Sequence, residues 1–242
     1  LTLYNLSARA TSFALWVLPA ATAAEMDPKT RLEDEKRRVP PAIRKLLEYD
    51  VKISKSLVTY LLNFVPMRSL RNHCKFLEIS CHGVVWLAGW LAFTWIMDNK
   101  KLYQMQVNMM FGLLLDIIVV AVLKAATRRR RPAINDDIFS IGPDKFSFPS
   151  GHASRAFYIL TFFTWLYPIW WLFWPPMFAW AFCVALSRLL IFRHHLFDIF
   201  AGAVLGVVEA FALYIFWLGP GFANWIMATI SEDHVPGGPE DV

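Results

Sequence analysis

Hydrophobic positions along this chain gather into long unbroken blocks separated by short polar breaks, with neither strand-like alternation nor a surface-helix period. Five blocks stand out: Phe76–Met97, Tyr103–Ala126, His152–Tyr167, Trp171–Phe192 and Leu196–Leu218. A helix that crosses a bilayer needs about 20 predominantly apolar residues, so each block is expected to span, the third being short. Pro175 and Pro176 fall inside the fourth block and should kink it or shift its start. Ahead of these, Val51 to Phe64 is amphipathic and too brief for a clear span. It is expected to lie in the interface or to form an abbreviated first helix. The fold class predicted is all-α, a polytopic membrane helix bundle with five clear transmembrane helices plus that short first one.

The flanks read differently. Residues 1–25 hold an apolar run, Phe13 to Ala24, that ends in small residues as a signal-peptide core does, with almost no basic flank. Residues 26–50 are charged and expected to be helical at the surface. Residues 1–50 are thus a leader and surface segment, and 51–220 a membrane domain. Residues 221–242 are expected to form a C-terminal tail, acidic and rich in Gly and Pro from Ser231 onward.

Composition supports a membrane protein. The chain is 57% hydrophobic and 18% charged, against about 45–50% and 25% for an ordinary soluble domain. Eleven Trp and twenty Phe suit lipid-facing helices and the aromatic belts at their ends. The net charge of +5 is concentrated in Arg128–Arg131 and between Lys29 and Lys55. Beside apolar spans such clusters face anionic headgroups, so membrane lipids and not nucleic acid are the expected partners. Cys74, Cys81 and Cys183 are odd in number and lack framework spacing, so no disulfide is expected. His73–Cys74 with Cys81–His82 fits no common zinc spacing. Glu78, His82, Asp116 and Glu209 lie within spans, where ionisable groups are costly, and are expected mostly to be buried between helices with a donor.

Three polar clusters sit at helix ends. Lys124 to Pro132 closes the second block, Phe148-Pro149-Ser150-Gly151-His152 opens the third, and Ser187-Arg188, His194 and Asp198 bridge the fourth and fifth. In an alternating hairpin the end of one span and the start of the next share a side of the membrane, so all three clusters can meet on one face. Asp198 follows His194 by four residues and shares its face if both lie on the helical turn. A carboxylate there can keep one ring nitrogen protonated and leave the other free to attack phosphorus, giving a phosphohistidine. His152 is the available acid for the leaving oxygen, with an ordinary pKa near neutrality. Ser150 and Gly151 precede it at a helix N-terminus, where free N–H groups favour phosphate. Lys124, Arg131 and Arg188 add fixed positive charge, which phosphoryl transfer needs more than covalent help.

These clusters resemble the three-part motif of the type-2 phosphatidic-acid phosphatase superfamily: K-x6-R-P, then P-S-G-H, then S-R-x5-H-x3-D. Lys124, Arg131 and Pro132 fit the first part, Pro149 to His152 the second, and Ser187, Arg188, His194 and Asp198 the third. The resemblance implies a helical bundle, usually of six spans, and hydrolysis of lipid phosphates without metal or cofactor. It also implies the roles reached above for His194, Asp198 and His152, with the remaining motif residues binding phosphate. Leu77-Glu78-Ile79-Ser80, His82-Gly83, Leu113 to Asp116, Arg128–Pro132 and Asp144 to Pro149 are similar to the polyisoprenoid diphosphate phosphatase branch. That likeness implies farnesyl, geranylgeranyl and presqualene diphosphate as substrates, and residence in the endoplasmic reticulum and nuclear envelope. Arg128, Arg129 and Arg130 are then expected to meet the second phosphate. A broad phosphatidate, lysophosphatidate or sphingosine-phosphate phosphatase stays open beside this, as does a non-catalytic scaffold at the nuclear envelope.

Overall fold

The described residues of the computed structural model are 41–63, 67–129, 131–132 and 146–230. They form α1 (Pro41–Leu62), α2 (Met67–Ser80), α3 (Gly83–Ile96), α4 (Tyr103–Thr127) and α5 (Gly151–Thr161). Beyond these come α6 (Trp174–Leu190), α7 (Leu196–Ile215) and α8 (Pro220–Ile230). A π turn, Phe162–Leu166, extends α5, and a 3-10 turn, Trp171–Phe173, leads into α6. No strand occurs among the described residues. The all-α membrane bundle is the observed architecture.

The five expected spans take three forms. α4, the Trp171–Leu190 unit and α7 are long and apolar enough to cross a membrane. The first block is instead two helices, Asn72–Ser80 and Gly83–Ile96, bent 50° apart, the form of a broken span or a re-entrant loop. At that break the Trp86 indole donates to the Ser80 carbonyl at 2.8 Å and the Trp180 indole to Ser80 Oγ at 3.1 Å. The third block is the short one, an 11-residue α5 with a 5-residue π turn. The prolines shift the start of α6 and do not kink it: they occupy its first turn, where a missing N–H costs no hydrogen bond.

α5 lies at the centre, and its closest neighbour is α7. A Cβ on Gly202 would come within 2.4 Å of the Ser150 carbonyl oxygen, and one on Gly206 within 2.0 Å of the Ser154 carbonyl oxygen. Spaced four apart, the two glycines let the helix backbones touch, the small-residue packing common between membrane helices. Large apolar side chains point outward, among them Trp95, Ile118, Val122, Phe200, Val208 and Ile215. Lipid tails are their natural neighbours.

The flanks add two details to the expectation. The surface segment and the amphipathic stretch are one continuous 22-residue helix, α1, whose inward face is Asp50, Ser54 and Val58 at four-residue spacing. It packs on α6 and α7. The expected tail begins with a helix: α8 packs on α4. Asn108 fastens the turn before α8, with its Oδ1 accepting the Leu218 N–H and its amide donating to the Leu218 carbonyl, both at 3.0 Å. The leader, the rest of the charged segment to residue 40 and the tail from Ser231 lie outside the described residues.

Candidate active site

The three polar clusters come together, and backbone contacts stitch them. Ser147 N–H donates to the Arg129 carbonyl at 2.7 Å, and Thr127 Oγ1 donates to the Phe148 carbonyl at 3.0 Å. These join the end of α4 to the strand of chain entering α5. Ser150 N–H then donates to the Asp198 carbonyl at 3.0 Å, joining the start of α5 to the start of α7. The Arg188 carbonyl accepts N–H bonds from Arg193 and His194 at 3.1 and 3.2 Å, which curls the α6–α7 connection back on itself.

His194 sits in that connection with only 2% of its surface exposed. Its Nδ1 lies 2.7 Å from the Ser147 carbonyl. A carbonyl only accepts, so Nδ1 carries the proton and Nε2 keeps the lone pair of a nucleophile. The expected partner, Asp198, is farther off: its Oδ2 is 3.9 Å from Nδ1. Asp198 Oδ2 accepts instead from the His195 N–H at 2.9 Å and faces His195 Nδ1 at 3.3 Å. The tautomer is therefore set by a backbone carbonyl, with the carboxylate standing behind it. Burial pushes the His194 pKa well below the ordinary histidine value, and the positive fields of Arg188, Arg131 and Lys124 add to this. The Ser147 hydrogen bond opposes the shift.

Those same three cations are the predicted phosphate ligands. Lys124 is buried in the last turn of α4. Arg131 donates through Nε to the Phe146 carbonyl at 3.3 Å. Arg188 is 1% exposed, and its Nη1 pairs with Glu78 Oε1 at 2.8 Å. Ser150 is the N-cap of α5, its Oγ accepting from the Ala153 N–H, and Gly151 is the first helical residue. His152 follows, with Nε2 3.2 Å from the Glu78 carbonyl. Glu78 thus touches both the arginine, through its side chain, and the histidine, through its backbone.

The arginines expected at a second phosphate differ in their surroundings. Arg129 has both terminal nitrogens on carboxylates: Nη1 is 2.5 Å from Asp198 Oδ1 and Nη2 is 2.6 Å from Asp50 Oδ2. Both ends of its guanidinium are thus engaged by carboxylates of the chain itself. Arg128 is exposed, caps α4 in the left-handed conformation and turns its Nε back to the Ala125 carbonyl at 3.0 Å. Arg130 lies outside the described residues.

Sequence reasoning missed Asp50, Ser54 and Ser147, and gave Glu78 no partner. Ser147 acts through its carbonyl, which no side-chain pattern signals. Asp50 and Ser54 carried a usable sign, a four-residue polar spacing on an amphipathic helix. The other intramembrane groups find partners within the bundle: Asp116 Oδ2 pairs with Arg155 Nη2 at 2.7 Å, and Glu209 accepts from Ser154 at 3.3 Å. The His82 and His152 rings meet edge-on with centroids 6.2 Å apart.

Residues 106–220 match the family model of the PAP2 superfamily, a stretch that contains all three clusters from Lys124 to Asp198. That stretch is similar to a PAP2 domain. A curated relative, probable lipid phosphate phosphatase beta of Arabidopsis thaliana, is 36% identical over 135 residues, 44% of this chain. The chain spans 63% of that relative's length. Among solved structures, Aquifex aeolicus LpxE superposes with a TM-score of 0.52 at 22% identity, over 66% of this chain and 93% of that one. The PAP2-type phosphatidylglycerolphosphate phosphatase of Bacillus subtilis gives 0.55 at 20% identity, over 73% and 87%. At such identities the likeness concerns the fold alone, an all-α bundle of membrane-length helices.

Proposed function

We propose that this PAP2-like domain hydrolyses lipid phosphates through a phosphohistidine on His194. The observation that carries the reading is the state of that ring: proton held on Nδ1 by the Ser147 carbonyl, lone pair on Nε2, three cations around it. The substrate phosphate would rest on Lys124, Arg131 and Arg188 and on the N–H groups at the start of α5, where Ser150 and Gly151 stand. Nε2 attacks phosphorus as the P–O bond to the leaving group breaks, and His152 gives that oxygen its proton. His152 then takes a proton from water, whose oxygen attacks phosphorus while the P–N bond breaks. Inorganic phosphate leaves and His194 returns to its starting form. Charge neutralisation comes from side-chain cations, which would repel a metal ion from the same place, so the reaction is proposed to be metal-independent.

An apolar groove supports a lipid as the group behind the phosphate. About 330 Å³ in volume, it is lined by Leu123, Phe148, Pro149, Phe197 and Phe200 and continues along α7 to Val208. Phe148 and Pro149 lead directly into the phosphate-binding turn, and Phe197 precedes Asp198. For the tail itself, the sequence likeness to phospholipid phosphatase 6, the presqualene diphosphate phosphatase, favours isoprenoid diphosphates and the endoplasmic reticulum and nuclear envelope. Arg128 and Arg130 remain as contacts for a second phosphate. A broader specificity for lipid monophosphates is favoured by one observation, the engagement of Arg129 by two carboxylates, which removes a cation from the diphosphate reading.

Phosphate release by purified protein from farnesyl diphosphate and from phosphatidate, each in EDTA, tests both levels. Activity on either substrate that persists in EDTA and vanishes in His194→Ala is the expected result. Full activity in that variant would remove the nucleophile, and loss in EDTA would remove the metal-free step. Arg128→Ala with Arg130→Ala should lower kcat/KM for the diphosphate more than for the monophosphate. Equal losses would count against the diphosphate branch.

A further inference from the structure

Arg129 is one cation shared by two carboxylates from distant parts of the chain. Asp198, which it holds through Nη1, is fully buried, and Asp50, which it holds through Nη2, nearly so. Two carboxylates and one guanidinium leave a single net negative charge. Arg129 and Asp198 alone would leave none. When His194 bonds to phosphorus its ring gains positive charge. A neighbouring carboxylate stabilises that charge only to the extent that its own is not already cancelled.

We propose that Asp50 is a positioning residue for phosphoryl transfer: by sharing Arg129 it lets the guanidinium lock Asp198 in place without neutralising it. The inference rests on His194 being the nucleophile. Asp50 belongs to α1, outside the stretch that matches the PAP2 family model, and acts through Arg129, touching no reacting atom. Its second task is mechanical. Asp50 Oδ1 accepts the Phe197 N–H at 3.0 Å and Ser54 Oγ accepts the Leu196 N–H at 2.9 Å, so α1 caps the first turn of α7. The helix that presents Asp198 is therefore both capped and charge-balanced by one side chain from the N-terminal helix.

Asparagine separates the two tasks, since Asp50→Asn keeps an oxygen for the Phe197 N–H and replaces the charged acceptor of Arg129 Nη2 with a neutral amide nitrogen. In phosphatidate hydrolysis in detergent micelles, kcat should fall roughly tenfold, the scale of one lost charge-assisted contact, while KM stays within about twofold. Asp50→Glu, which keeps the charge, should recover most of that loss. In an Arg129→Gln background the same Asp50→Asn change should cost nothing, because no guanidinium remains to cancel Asp198. Equal losses in both backgrounds, or an unchanged kcat in the single variant, would overturn the proposal. Should Asp50→Asn fail to fold, judged by its thermal midpoint in detergent, Arg129→Lys carries the test. An ammonium offers one nitrogen where the guanidinium sets two, one on each carboxylate, so kcat should fall with KM held, and a wild-type kcat overturns the idea. Orthovanadate, which bonds a histidine nitrogen with the geometry of the transferring phosphoryl group, repeats the comparison without a lipid. Its affinity should drop in Asp50→Asn and be indifferent to that change beside Arg129→Gln. Wild-type protein that neither hydrolyses phosphatidate nor farnesyl diphosphate nor binds vanadate through His194 removes the phosphatase reading, and this inference with it. An active wild type with equal losses in both backgrounds removes the inference alone.

Discussion

His194 is held between opposing influences, and their balance has a measurable consequence. Burial and the cations Arg188, Arg131 and Lys124 disfavour its protonated form, while the Ser147 carbonyl favours it. The net effect is a pKa well below the ordinary value, which favours the neutral ring that the proposed nucleophile needs. The acid limb of kcat/KM reports the free enzyme, and it should lie below about pH 6.5, the unperturbed histidine value. Protonation on the acid side removes the lone pair, so activity is lost as pH falls through the lowered pKa and is intact above it. Arg188→Gln takes away the strongest of the three positive fields and leaves the Glu78 carboxylate without its partner. Both changes favour the imidazolium, so the limb should move to higher pH. A pH profile of kcat/KM for that variant with its limb unmoved would mean that His194 is not the group being titrated.

The pair α5 and α7 does more than carry motif residues; its closeness sets their spacing. Ser150 is both the cap of α5 and the group whose carbonyl oxygen a Gly202 side chain would strike. Gly206→Ala intrudes lower down, on Ser154, and should destabilise the bundle by about 1–3 kcal/mol, the usual scale of overpacking. Thermal midpoints in detergent will read that loss. Gly202→Ala should show a comparable drop and, in addition, a lower kcat, because it displaces the turn proposed to bind phosphate. Equal kcat in the two variants would detach the glycine from the site. This is also the scale at which the sequence was most and least informative. Apolar blocks announced α4, α6 and α7 because a lipid-crossing helix must be apolar along most of its length. The break at Cys81–His82 was hidden, since the apolar block runs on through it, and the Trp86 and Trp180 indoles that meet Ser80 there are contacts composition does not encode. The merging of the charged segment with the amphipathic stretch into α1 was hidden for a similar reason. Its polar residues Asp50 and Ser54 are buried by partners far along the chain, Arg129, Leu196 and Phe197.

Across the whole molecule, the polar machinery sits at one end of the bundle and the apolar groove runs away from it along α7, so head and tail of a substrate would be read by different surfaces. That the three polar clusters meet was legible because each lies at a helix end, where consecutive spans share a side of the membrane. The groove was not, because any apolar residue can line it. This division predicts that tail recognition can be damaged without touching the chemistry. Val204 is half exposed on the groove wall, about a turn and a half of α7 beyond Asp198. Val204→Trp should fill part of the groove with the ring system while leaving His194, Asp198 and the three cations where they are. For a long-chain lipid phosphate in micelles, KM should rise several-fold, on the order of the 1–3 kcal/mol that a hydrophobic pocket discriminates. For p-nitrophenyl phosphate, which has no tail to seat, kcat/KM should stay within about twofold. A matching loss on both substrates would place the damage in the phosphate site and deny the groove its role.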